Sequence, residues 1–129
     1  MAEKLLSESW IKLYMEVWNG DESLVQSLAP LSGVVEYGIL GTDQPHVQIE
    51  VKDGRILSAG EKGDKEADFV LESKAEMWKK IAMGKQGVKS ALVTKKIKFK
   101  GPLSLAMKLI GGLTNSVLLF GKVDTDWDV

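Results

Sequence analysis

Residues 97–109 read IKFKGPLSLAMKL, and this stretch decides the fold. Ile97 and Phe99 alternate with lysines, which predicts a short strand with an apolar inner face and a row of ammonium groups outside. Gly101-Pro102 then turns the chain into a helix, because proline suits the first helical turn. Apolar residues recur in that helix every three or four positions, at Leu103, Ala106, Met107, Ile110, Leu113 and Val117.

Four further strands are predicted before this stretch, between residues 34 and 72, where apolar and polar residues alternate. Asp53-Gly54 predicts a two-residue hairpin between two of them, since a type I′ turn needs positive φ at both positions. The fourth strand begins at Ala67, and two short helices are expected after it, over 74–83 and 87–94.

The two ends of the chain give separate predictions. Residues 3–18 have the spacing of an amphipathic helix closed by Asn19-Gly20, and a second short helix is expected around 23–28. The tail after Gly121 is acidic and is expected to be partly mobile, with Trp127 as its anchor.

Length and composition indicate one soluble globular domain. The chain has 129 residues, of which 44% are apolar and 27% charged. We divide the domain, 1–129, into N-terminal helices (1–30), a core (34–113) and a C-terminal segment (114–129). The sequence has no cysteine, which excludes disulfides and thiolate chemistry. Its N-terminus lacks the features of a signal peptide, so a cytoplasmic location is expected.

The charges are distributed unevenly along the sequence. Residues 1–73 hold six Lys or Arg against fourteen Asp or Glu, whereas residues 74–108 hold ten Lys against one Glu. Either the basic part pairs with the acidic part, or it faces an anionic partner. We predict that Lys96, Lys98 and Lys100 assist transient docking to anionic membranes. Nucleic acid is not a predicted partner, because the pI is about 5.9 and the basic part has no arginine.

The sequence offers few groups for catalysis. His46 is the only histidine, at the start of a strand, and is interpreted as a surface residue. Acid pairs such as Asp64 with Glu66 lie in a polar loop without the spacing of a calcium loop. We therefore predict no catalytic residues, no metal site and no cofactor, in a protein that is not an enzyme.

Three motifs give the chain a family resemblance. ADFVL (67–71), MWKKIAMGK (77–85) and IKFKGPLSLAMKL (97–109), in this order, resemble the sterol carrier protein (SCP-2-like) domain, also called the lipid-transfer domain, in its single-domain prokaryotic form. The resemblance implies an α+β fold, with a five-stranded, mostly antiparallel sheet covered on one face by helices. It also implies an apolar tunnel between sheet and helices that accepts fatty acyl chains, sterols or related lipids.

We accordingly predict non-enzymatic binding and transfer of a hydrophobic ligand, such as a fatty acid, fatty acyl-CoA, sterol-like lipid or phospholipid. Periodicity does not distinguish a lined cavity from a filled core, so an interaction module with a solid core is the alternative. Such a module could form a homodimer through Trp10, Tyr14 and Trp18 or through Leu118–Phe120. The residues predicted to line the tunnel are Trp78, Ile81, Leu92, Phe99, Leu103, Met107, Ile110, Leu113 and Val117.

Overall fold

A twisted sheet with helices on one face forms the frame of the protein in the computed structural model, which describes residues 2–129. The strands are β1 (Glu3–Lys4), β2 (Gly33–Ile39), β3 (Val47–Lys52), β4 (Arg55–Glu61), β5 (Phe69–Ser73), β6 (Lys98–Lys100) and β7 (Thr125–Asp126). The helices are α1 (Glu8–Asn19), α2 (Glu22–Ser27), α3 (Ala75–Ala82), α4 (Val88–Val93), α5 (Leu103–Lys108) and α6 (Ile110–Leu118), followed by a 3-10 turn at Leu119–Lys122.

The main sheet has five strands in the order β4-β3-β2-β5-β6. Only β2 and β5 run parallel, and the other three pairs are antiparallel. The sheet is therefore mostly antiparallel, and the predicted α+β fold is confirmed. Asp53 and Gly54 form the predicted hairpin turn with φ of 51° and 82°, which is the positive-φ pair that such a turn requires.

Phe120 lies at the centre of an aromatic cluster in the core. Its ring centroid is 4.8 Å from that of Trp10, 5.1 Å from Tyr14, 5.2 Å from Trp78 and 5.9 Å from Tyr37. These rings come from α1, β2 and α3, so one side chain of the 3-10 turn joins three separate elements. All five side chains of the cluster are buried, and this part of the inner face is solid.

The C-terminal tail is fixed, which corrects the prediction of a mobile end. β7 pairs in parallel with β1 in a small second sheet, and the Leu5 amide donates to the Asp126 carbonyl at 3.0 Å. Trp10 adds a side-chain bond, because its indole Nε1 donates to Thr125 Oγ1 at 2.9 Å. Trp127 is thus one of several anchors. The prediction of a mobile tail was based on its acidic composition, which does not indicate strand pairing.

Two helix boundaries also differ from the prediction. The first helix begins at Glu8 and not at residue 3, because Leu6 has a φ of 55° and the Ser7 hydroxyl caps the helix by accepting from the Trp10 amide. The last helical region is interrupted at Leu109, which is neither in α5 nor in α6. Periodicity continues across this break and could not reveal it.

The outer face of the sheet carries a buried carboxylate. Glu36 is 3% exposed, and its Oε2 accepts from His46 Nδ1 at 2.6 Å while Oε1 accepts from Gln48 Nε2 at 3.0 Å. The other ring nitrogen of His46 lies 3.4 Å from Glu72, and the imidazole is partly exposed, so His46 is a surface residue that also pairs with two carboxylates. Burial alone would raise the pKa of Glu36, but these hydrogen bonds and the charge of Lys62 outweigh it and lower the pKa.

Removing the central ring should destabilise the whole fold. Phe120→Ala leaves a void among four aromatic rings and is expected to reduce the free energy of unfolding by about 3–5 kcal/mol. The control is Leu118→Ala, because Leu118 is 36% exposed and its loss should cost much less. Urea denaturation of both variants measures the difference, and equal losses would show that Phe120 has no central role.

Glu36 should contribute to the pH dependence of stability. Because its pKa is lowered in the folded state, its contribution is present above the unfolded pKa of about 4.3 and is lost as pH falls through the folded value. Glu36→Gln is therefore expected to be less stable at neutral pH and to lose less stability on acidification. Unfolding measured between neutral and acid pH tests this, with Glu50→Gln on the same sheet face as control; parallel curves for wild type and Glu36→Gln would contradict it.

Candidate functional site

A narrow apolar cavity lies between the helices and the half of the sheet formed by β2, β5 and β6. Its floor is formed by alternate residues of these strands, and its roof by α4, α5 and α6. The lining residues are Trp18, Leu31, Val35, Tyr37, Phe69, Leu71, Val88, Leu92, Phe99, Leu105, Ala106, Leu109, Leu113, Ser116 and Val117. The walls are almost entirely carbon, which suits a hydrocarbon chain and no charged group.

The side chains around the cavity leave very little empty space in it. Its volume is about 30 Å³, which is about a tenth of the lower end of the roughly 300–1,000 Å³ range of ligand pockets. The described residues therefore do not form, in this conformation, the open tunnel that the resemblance implies. A ligand as long as an acyl chain needs the roof to move away from the floor.

The helices of the roof differ in how closely they pack against the rest of the protein. In α6, a Cβ added to Gly112 would lie 2.6 Å from Leu28 Cδ2, so this helix approaches the segment after α2 closely. In α5, by contrast, Ala106 is the one buried residue, and Leu103 is 51% exposed. Gly101, just before α5, has a φ of 135°, a conformation that glycine adopts readily. Short helix α5 is thus the part of the roof with the least burial.

The predicted lining residues separate into three groups. Leu92, Phe99, Leu113 and Val117 lie in the cavity wall. Trp78 and Ile81 are fully buried in the core beside it, where Trp78 Nε1 donates to the Gly38 carbonyl at 3.1 Å. Leu103, Met107 and Ile110 lie on α5 and α6 outside the lining. Whether any of these nine residues binds a ligand stays a prediction.

The sequence analysis missed the floor of the cavity except for Phe99. Val35 and Tyr37 of β2 and Phe69 and Leu71 of β5 all point into it. Their alternation with polar residues was visible, and the inner face of each strand could have been added to the lining on that signal. Leu105 and Leu109 were missed for another reason, because the predicted inward face ran through Leu103, Met107 and Ile110, which is a different side of the helical region.

The surfaces predicted for a homodimer are not available in this structure. Trp10 and Tyr14 are fully buried, and Trp18 is 1% exposed. Leu119 and Phe120 are also buried, and only Leu118 of the predicted C-terminal contact is exposed. The assignment of the five buried residues to a partner contact is wrong, because they pack against the chain itself.

The lysines of residues 74–108 remain unpaired with the acidic part of the chain. Within the described residues, the ion pairs all join partners from the first 73 positions. Lys98 and Lys100 extend from the outer face of β6, since Phe99 between them lines the cavity. Lys96 lies in the turn after α4, and its Nζ atom donates to Gln86 Oε1 at 3.3 Å. These ammonium groups are therefore free to meet an external anion.

Two buried tyrosines connect the cavity to the rest of the core. Tyr14, behind the wall, donates its hydroxyl hydrogen to the Ser116 carbonyl at 2.6 Å, and its ring lies edge-to-face with that of Tyr37 at a centroid separation of 6.3 Å. Burial raises the pKa of Tyr37 and of Tyr14 well above their usual value, so both hydroxyls stay protonated.

Two further features were sought in residues 2–129. No group of three or more His, Asp or Glu side chains there is placed to hold a metal ion. Over the same range, the helices are too short or too polar to span a membrane.

Comparison with solved structures shows the fold. The crystal structure of sterol carrier protein 2 superposes with a TM-score of 0.83 at 20% identity, covering 93% of this chain and 99% of that one. A conserved Thermus thermophilus protein described as possibly sterol carrier protein gives 0.77 at 19% identity, covering 98% and 94%. A sec-alkylsulfatase from Pseudomonas sp. gives 0.51 at 14% identity, covering 67% of this chain and 14% of that enzyme.

Comparison with protein families identifies the chain itself. No curated protein matched its sequence. The SCP-2 sterol transfer family, in contrast, matches residues 12–114, which include the strands of the main sheet, helices α4 and α5 and the first half of α6. The match covers well over half of the 129 residues. This chain belongs to the SCP-2 sterol transfer family.

Proposed function

We propose that this protein is a non-enzymatic carrier that binds the hydrocarbon part of a lipid in the cavity between the sheet and helices α4 to α6. The observation that carries the proposal is the cavity wall, which is almost entirely carbon and is roofed in part by a weakly buried helix. Membership of a family named for sterol transfer supports the same function.

Binding requires the cavity to expand, and α5 is the element that we expect to move. Its displacement breaks few buried contacts, since Ala106 is its one buried residue. The gain from the ligand is large by comparison, because each buried methylene contributes about 0.8 kcal/mol. A long chain thus offsets the cost of separating Leu105 and Leu109 from the floor.

Anionic membranes are the proposed source and destination of the ligand. Lysines without ion-pair partners among the described residues lie on elements that contribute to the cavity, at Lys89 of α4, Lys98 and Lys100 of β6 and Lys108 of α5, and Lys96 lies in the turn after α4. Each ammonium group near an anionic surface contributes about 1 kcal/mol. The protein therefore binds such a surface transiently and releases it at higher salt.

An interaction module with a solid core is the second candidate. The small volume of the cavity, about 30 Å³, favours it, since a domain that binds no ligand needs no larger space. The two candidates differ in one measurable respect, which is uptake of a hydrophobic ligand.

Filling the cavity should block ligand uptake. Leu92→Trp places a larger side chain in the wall and is expected to reduce binding of a fluorescent fatty acid at least tenfold, because the ligand must compete with the indole for the same space. Val93→Trp is the matched control, since Val93 is the next residue of α4 and is 66% exposed. Fluorescence titration measures both; equal affinity in the two variants would contradict this site.

Neutralising the predicted docking lysines should weaken membrane binding. The triple variant Lys96→Gln, Lys98→Gln and Lys100→Gln is expected to bind phosphatidylserine-containing vesicles more weakly by about 1 kcal/mol for each lysine. Lys52→Gln, in the exposed end of β3, is the control. Vesicle co-sedimentation measures the partition. If the triple variant binds as the wild type does, docking does not use these three residues.

A further inference from the structure

The helical region around α5 has apolar residues on two faces, and the cavity uses only one of them. Leu105, and Leu109 directly after the helix, line the cavity and pack against the core. Leu103 and Met107 do neither, although they are four residues apart and therefore share one face of α5. Leu103 is 51% exposed and Met107 is partly exposed. These two residues form an apolar ridge on the outside of the protein.

Unpaired cations flank this ridge in the sequence. Lys100 is the last residue of β6 and Lys108 is the last residue of α5, and both side chains are exposed. Neither has an ion-pair partner within residues 2–129. Carboxylates are also scarce in this part of the sequence, where Glu76 is the one acidic residue between positions 74 and 108. The ridge therefore combines exposed carbon with positive charge that the protein itself does not neutralise.

These two properties favour a membrane over a protein partner. A second copy of the chain would bring lysines against lysines, which is repulsive. A stable protein interface buries about 1,200–2,000 Å², and two side chains supply only a small part of that area. A bilayer does not require such an area, because single apolar side chains enter the acyl layer while ammonium groups attract anionic headgroups. An anionic bilayer thus matches both the carbon and the charge.

We propose that α5 is the element that enters an anionic lipid bilayer, with the ridge among the acyl chains and Lys100 and Lys108 at the headgroups. This proposal rests on the proposed function and identifies where the carrier meets the membrane. The opposite side of the same short helix carries Leu105, which belongs to the roof of the cavity. Movement of α5 toward the bilayer separates the roof from the floor, so that the cavity opens toward acyl chains and not toward water.

The sequence contains no cysteine, so a fluorescent label can be attached at one chosen position. Leu103→Cys carries an environment-sensitive label on the ridge. Leu57→Cys is the matched control, because Leu57 is 57% exposed and belongs to β4, at the opposite edge of the sheet from β6. A label that enters membranes through its own hydrophobicity would do so at both positions.

The test uses vesicles of phosphatidylserine and a phosphatidylcholine that is brominated in its acyl chains. We expect the label on Leu103→Cys to shift to shorter wavelength and to be quenched by the bromines, because it lies among the acyl chains. The label on Leu57→Cys should keep the spectrum that it has in solution. High salt should reverse the quenching, since the lysines hold the protein at the surface electrostatically.

Unlabelled variants measure how much the ridge contributes to binding. Leu103→Gln combined with Met107→Gln removes the apolar ridge and keeps every charge. This double variant is expected to bind the same vesicles about tenfold more weakly, as the loss of two partly exposed apolar side chains from a bilayer implies. Leu57→Gln should bind as the wild type does. Circular dichroism checks that each variant is folded.

The outcomes separate the membrane contact from the carrier function. No vesicle binding by the wild type, binding without quenching at Leu103→Cys, equal quenching at both positions, or undiminished binding of the double variant overturns the ridge as the inserted element. The carrier function survives each of these results if the wild type takes up a fluorescent fatty acid without vesicles. Failure of that uptake overturns the proposed function whatever the quenching shows. If the labelled protein does not fold, the binding of the double variant decides.

Discussion

The packing of Phe120 against four aromatic rings is the constraint on which the rest of the structure depends. It holds α1, the centre of β2 and α3 together from a turn near the end of the chain. With the pairing of β1 and β7, it also fixes both ends of the chain described by the structure. One region of the inner face is thereby solid, which leaves the region over β5 and β6 as the place where a cavity can open.

This division is consistent with the proposed function, in which a small stable domain expands around a lipid. The aromatic cluster and the hydrogen bonds of Asn19 with Ile56 secure α1 to the sheet, so that expansion elsewhere does not unfold the chain. The roof over the cavity is composed of short helices, of which α5 is the least buried. Regions of low local stability are those that open most readily, and such a region covers the apolar wall here.

Much of the fold could be predicted from the sequence, because strand alternation, the Asp53-Gly54 turn and the motif at 97–109 are local signals. The paired ends could not, since two-residue strands have no periodicity and the pairing joins residues over a hundred positions apart. The cavity wall was predicted in part, through Leu92, Leu113 and Val117 of the roof and Phe99 of the floor. Trp78 lies in the filled core instead, and periodicity could not separate the two places because a filled core and a lined cavity require the same apolar faces.

Native mass spectrometry of the purified protein, before and after organic extraction, tests the carrier function most directly. A bound hydrophobic molecule at stoichiometric amount, removed by extraction and identifiable in the organic phase, is the result that the apolar cavity and the movable roof predict. A protein that carries no such molecule and takes up no added long-chain lipid would contradict the carrier function. That result would instead favour an interaction module with a solid core.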